Sequence, residues 1–393
     1  MKHSIDIRKI IFFSFIVPIV FISCDRKSAS SSSEIKTIGL ENIERIPRCS
    51  IHVEKEIFLE TNVKGLISYP QKIIDHKGLL FVFSRMNNGT ITIFNKVDGK
   101  FIRSISHVGK GPQEYTKIRD FTIDKNNDRI LILDDNACVL EYSFNDVYIS
   151  TIKLKITQNV EIRHIELSKN KILAEGMDKD FNSMLIFNKN GKLILAQLKE
   201  SHKSAFLPYP LTFFGDSILF HKKDCDTIFC LKRESFQPYI SLNFGHFKWI
   251  PELNNERSGP QRGDSKASYR MHVFFETTNF YYFDLNVINK EVSKSNYFHC
   301  FVRKKDNLPM CIEHMDLFKG ILGHGAQFIG LSEDKKCLIS YLLPVELHEY
   351  RDKVLAQYGQ EKLNKEYPEL VHLCQETRID DNPVLLFINL KEE

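Results

Sequence analysis

An all-β chain folded as a six-bladed β-propeller, with a helical insertion in the last blade, is the prediction that three features of the 393-residue sequence support. A pattern of short β-type runs recurs six times, and its copies begin at about 73, 121, 165, 211, 272 and 327. The resulting spacings of 48, 44, 46, 61 and 55 residues lie near the ~40–50 that a four-stranded blade requires. Helical periodicity is nearly absent before residue 340, and turn dipeptides such as Asn88-Gly89, Asp98-Gly99 and Asn190-Gly191 separate the runs.

The first residues read differently from all that follows. Lys2, Arg8 and Lys9 form a charged start, and Ile10 to Ile22 is a nearly unbroken apolar run. That run is short for a spanning helix, which needs roughly 20 apolar residues, and it suits a signal peptide. It ends in Phe21-Ile22-Ser23-Cys24, a small residue before a cysteine, so Cys24 is expected to become the lipidated first residue of the mature chain. Residues 1–23 are thus assigned to a lipoprotein signal peptide, 24–47 to a flexible tether containing the serine run Ser30 to Ser33, and 48–393 to the propeller.

Each repeat offers an inner strand, a hairpin of two middle strands and an outer strand. The first copy is Ile73-Ile74-Asp75, Leu79 to Phe83, Ile91 to Phe94 and Lys100 to Ile105; the second runs from Thr122-Ile123-Asp124 through Ile130 to Leu133 and Val139 to Tyr142. One such sheet cannot bury both faces, whereas six stacked around an axis can, and a closed ring also protects strand edges. The seam is expected where the early strand Ile51 to Leu59 completes the blade that ends with Pro383 to Leu390. A large β-sandwich is the rival architecture, but its strands would not repeat at this period. Within the last repeat, Leu347, Tyr350, Val354, Leu355 and Tyr358 fall at helical spacing between Pro344 and Gly359. A second helix is expected over Glu361 to Glu376, which gives an insertion at about 345–376 that caps exposed sheet.

Gly109-Lys110-Gly111-Pro112-Gln113-Glu114-Tyr115 is the most distinctive turn in the chain. Gly109, Gly111 and Pro112 suggest tight backbone with Gly111 at positive φ, and Glu114 is expected to hold the loop by accepting backbone N–H groups. This turn, the leader ending at Cys24, the helical insertion and the Asn382-Pro383-Val384-Leu385 ending together resemble the six-bladed β-propeller lipoproteins of Bacteroidetes. The resemblance implies a fold and a compartment, the outer membrane with its periplasmic or surface face left open, and it brings no established catalytic set.

Removing residues 1–23 deletes three basic side chains and one acidic one, so the net charge falls from +4 to about +2. That balance argues against nucleic acid as a partner, since no basic block with interleaved aromatics occurs. Beyond Cys24, eight cysteines remain with no zinc-like spacing; Cys225 and Cys230 form the one close pair, and one or two disulfides stay open. No hydrolase, metalloprotease, P-loop or dinucleotide motif appears, so no cofactor and no metal is expected and the catalytic residues are unknown. His314 and His324 near Glu313 and Asp316 are a sequence proximity of the kind that chance usually produces.

Two readings of function follow: a monomeric binding or assembly module, anchored to the membrane through its lipid, for a glycan, peptide or envelope protein; or a propeller enzyme of lactonase, lyase or glycosidase type with its site at the channel mouth. Aligning the repeats gives a candidate ligand rim of Arg119, Arg163 and Arg270 with Tyr69, Tyr209 and His324. Guanidinium groups at equivalent positions suit an anionic small ligand or acidic sugar, in competition with simple pairing to neighbouring acids.

Overall fold

The computed structural model describes residues 35–390 apart from 41–43, 47–49, 86–88, 157–159, 201–206, 208, 223–224, 245–266, 290–293 and 314–326. Six sheets follow one another along the chain as blades. Their innermost strands are Pro70–His76, Ile118–Asp124, Glu161–Ser168, Leu211–Phe214, Phe274–Glu276 and Gly330–Leu331. Each is followed by antiparallel partners that step away from the axis, as in Leu79–Ser84, Thr90–Asn95 and Phe101–Ile105 of blade one. The strand Ile51–Phe58 joins blade six beside Val384–Leu390, with Ile57 opposite Leu385, and so closes the ring at the expected seam.

Both faces of a blade must be covered, and the apolar residues divide accordingly. Among the described residues each junction has its own core: Phe83 and Phe121 between blades one and two, Leu133 and Ile165 between two and three, Ile186 and Phe220 between three and four. Leu219 with Phe283, Phe301 with Leu386, and Val82 with Ile339 continue the series around to blade one. Close approach of blades also explains two turn glycines. Gly99 (φ 71°) and Gly191 (φ 73°) lie in the left-handed region, and a Cβ on either would collide with a carbonyl of a neighbouring outer strand, Phe58 or Lys153.

The chain's approach to blade six differs from the expected tether. Lys36–Gly39 pairs in parallel with the outer strand Ser235–Asn243 of blade four, and Glu44–Arg45 pairs in parallel with Pro309–Glu313 of blade five. Ile38, Leu40 and Ile46 are buried there, so the strap covers apolar surface and two edges that would otherwise be open.

The insertion lies between the second and third strands of blade six. Helix α1 spans Pro344–Glu366 with a kink at Gly359 (φ 81°), and α2 spans Pro368–Glu376. The second expected helix is therefore divided at Pro368, whose ring cannot continue the preceding turn but suits a helix start. Leu347, Val354, Leu363, Leu370 and Leu373 are buried against Phe301, Phe328 and Leu386, a cap over blades five and six. Leu355 and Tyr358, assigned to the same stripe from spacing, are exposed. Cys225 and Cys230 are free thiols, as are Cys138, Cys300, Cys337 and Cys374. No described helix is long and apolar enough to cross a membrane.

Candidate functional site

The inner strands surround a cavity of about 70 Å³ on the axis, to which all six blades contribute. One side of it is charged. Lys72 of blade one donates to Asp120 (3.2 Å) and to the Phe121 carbonyl (2.7 Å) of blade two, and to Glu166 (3.0 Å) of blade three. Thr122 donates to the other oxygen of Glu166, the Ile165 amide donates to Asp120 (2.9 Å), and His164 Nδ1 lies 3.6 Å from the same carboxylate. The opposite side, formed by Leu211, Phe213, Phe275, Ile329 and Leu331, is apolar.

Burial alone would neutralise such groups, so their charges depend on one another. Burial lowers the tendency of Lys72 to hold its proton, yet Asp120 and Glu166 outweigh it and keep the ammonium above its usual range. Asp120 is likewise held low by Lys72 and His164 against burial. Glu166 goes the other way, raised by burial and then by Asp120 despite Lys72. One cation between two carboxylates satisfies Asp120 more fully than Glu166.

A repeated irregularity shapes the mouth where the inner strands begin, the leading mouth. The pairing of the first two strands shifts between Pro70 and Lys72, between Ile118 and Asp120, and between Ile162 and His164. Gln71, Arg119 and Arg163 are the extra residues, and a bulge re-aims the side chain it carries. Arg119 pairs with Asp135, and Arg163 donates to Glu161 (2.9 Å), with each arginine side chain remaining more than a third exposed. Tyr69 is exposed, whereas Tyr209 is half-buried on the cavity wall, where burial raises its hydroxyl pKa well above the ordinary value. Arg270 ends the strand Ala267–Arg270; its side chain lies outside the described residues, and so does His324.

Two buried groups near this mouth were not singled out from sequence. Glu175 lies across from His164, with Oε2 lacking a hydrogen-bond partner and its pKa raised well above the ordinary value by burial, against the opposing charge of Arg163. His221, on the second strand of blade four, is buried, and desolvation lowers its pKa to about 4. Both follow the apolar run of a second strand, a position at which a polar residue is the only available signal.

The glycine-rich turn connects blade one to blade two. Glu114 accepts the Gly111 amide (2.8 Å), and its carboxyl occupies the space that a Cβ on Gly109 would need. Neither glycine has positive φ, so the expectation for Gly111 is corrected: the turn needs room for a carboxylate rather than left-handed backbone. It seats Tyr115, fully buried, whose hydroxyl accepts the His107 amide (3.0 Å) and is pushed up to about 12 by burial. Among the described residues no group of three or more His, Cys, Asp or Glu side chains could hold a metal; His314, Asp316 and His324 lie outside them.

The fold recurs in solved structures. A Bacteroides fragilis protein described as exported is 17% identical, with a TM-score of 0.71 over 91% of this chain and 100% of that one. A member of the DUF4221 family from Bacteroides vulgatus is 9% identical, with a TM-score of 0.52 over 87% of this chain and 98% of that one. No curated protein sequence matches. Residues 55–389, the ring from its closing strand to the last strand of blade six, match the domain of unknown function DUF4934, and the chain belongs to that family.

Proposed function

We propose that this protein is a recognition module of the cell envelope, held to the membrane by a lipid on Cys24, that binds an anionic ligand such as an acidic sugar at the leading mouth. The observation that carries this reading is the bulge repeated in three successive inner strands, which turns Gln71, Arg119 and Arg163 out at one end of the axis. Arg119 and Arg163 are paired but partly exposed, so a carboxylate or phosphate can share their donors without a buried ion pair being broken. The compartment is supported by the leader sequence before Cys24 and by likeness to a protein described as exported.

The test is a panel of acidic oligosaccharides, phosphorylated sugars and acidic peptides scored by thermal shift and calorimetry on the mature chain. At least one member is expected to bind saturably and at least tenfold more weakly to the Arg119→Ala/Arg163→Ala variant. Equal binding to both proteins by every member that binds, or no binding at all, overturns the reading. Separately, Cys24→Ala is expected to move the protein from the membrane to the soluble fraction; a variant that stays with membranes refutes the anchor.

Glu175 favours a second reading. A buried carboxyl whose pKa burial raises well above the ordinary range, across from His164, is the kind of group that donates protons in catalysis. Turnover of a panel member that Glu175→Gln abolishes would place the protein among enzymes.

A further inference from the structure

The opposite mouth of the channel, where the inner strands turn back, contains two lysines that the leading mouth does not explain. Lys125 lies in the turn after the inner strand of blade two, and Lys335 in the corresponding turn of blade six. Both line the axial cavity, and Lys125 reaches far enough to place its ammonium 5.2 Å from the centre of the Phe213 ring in blade four. We propose that Lys125 and Lys335 form a binding site for one small oxyanion, a phosphate, sulfate or carboxylate group, at the turn-side mouth of the channel.

The charges around the mouth support this. Most oxygens of the neighbouring acids are already engaged. Asp75 Oδ2 accepts from Lys96 Nζ (2.6 Å) and from the Glu333 amide (2.8 Å). Glu333 meets His76 (2.9 Å) and the Lys77 amide (2.9 Å), and Glu166 is held by Lys72 and Thr122. Among the described residues no carboxylate forms an ion pair with Lys125 or Lys335. Burial, and next the charge of Lys125, bring Lys335 down to about 8, a repulsion that an anion between the two would relieve. Walls of low polarity such as Phe213, Phe275 and Leu331 strengthen the field at the mouth. A cavity of about 70 Å³ has room for one small oxyanion group. Asp75 Oδ1, buried without a partner, is the competing destination for Lys335.

The experiment is titration of the mature protein with inorganic phosphate, acetate and glycerol phosphate, read as a thermal shift against sodium chloride at equal ionic strength. Wild-type protein is expected to be stabilised saturably by phosphate, and the apparent Kd to rise at least tenfold in Lys125→Met/Lys335→Met. Should that variant not fold, Lys125→Gln alone, in an accessible turn, is expected to weaken binding at least threefold. Lys77→Met, in the matching turn of blade one but paired with Asp128 and outside the cavity lining, is expected to retain the phosphate response, which separates this site from general surface charge. Preference for glycerol phosphate over phosphate would identify the anion as the end of a larger ligand, and the reverse order a free ion; both support the site. A phosphate response no larger than that of chloride, or unchanged in the lysine variants, overturns it. In particular, loss of stability in Lys335→Met with the phosphate response intact would assign Lys335 to Asp75 alone.

Discussion

Glu175 and Lys72 show how single buried charges set the properties of the channel. The folded-state pKa of Glu175 is raised, so the carboxyl contributes stability that is complete below its ordinary value of about 4.5 and is lost as pH rises through the folded value. Glu175→Gln removes that penalty. The variant is therefore expected to melt higher than wild type at pH 8 and no higher at pH 4, and unfolding scans of both proteins across this range test the sign. Lys72 is paired with both Asp120 and Glu166, which are almost fully buried. Lys72→Met leaves two carboxylates without it and is expected to cost about 3–5 kcal/mol in denaturant unfolding. Adding Asp120→Asn and Glu166→Gln to that variant is expected to recover much of the loss. This cluster was hidden from a reading of motifs because its members sit one repeat apart, in three different blades. Repeat alignment brought out Arg119 and Arg163; the next column, Lys72, Asp120 and His164, contains three members of the network, and nothing in the linear spacing distinguishes the two columns.

Strands reveal the same contrast between what periodicity shows and what it conceals. The closing strand Ile51–Phe58 was legible because eight residues suffice to show an extended pattern, and because a ring of six sheets needs one strand to seal it. The strap was not, since Lys36–Gly39 and Glu44–Arg45 are four and two residues long and are stabilised by edges that lie some 200 residues or more further along the chain. The two segments are expected to respond differently to removal. A chain lacking residues 35–46 exposes the outer edges of blades four and five but keeps its seam, so it should fold, melt several degrees lower and aggregate more readily. Loss of Ile51–Phe58 in addition should abolish cooperative unfolding. Calorimetry with light scattering distinguishes these outcomes, and a strap deletion that melts like the full chain would mean that those edges need no cover. Asn382 ties the seam from within. It accepts the Ile67 amide (2.8 Å) and donates to the carbonyls of Glu60 (2.8 Å) and Gly65 (2.9 Å), so the Asn-Pro-Val-Leu ending joins blade six to the start of blade one.

At the scale of the whole molecule, a ring sealed at one seam and packed at every junction gives rigid support to whatever its mouths present. The charged cluster binds blades one, two and three together, while its polar atoms are largely committed to one another, which suits a scaffold better than a reacting centre. Bulged residues at the leading mouth remain within reach of solvent, where a ligand could be held without being altered. The measurement that tests this most directly is to hold the tightest binder from the acidic panel with the mature protein for a day and then determine its mass together with its affinity. The mass is expected to be unchanged, and binding to Arg119→Ala/Arg163→Ala at least tenfold weaker. A ligand that is cleaved, or rearranged to a new product, in a reaction that depends on Glu175 would contradict this.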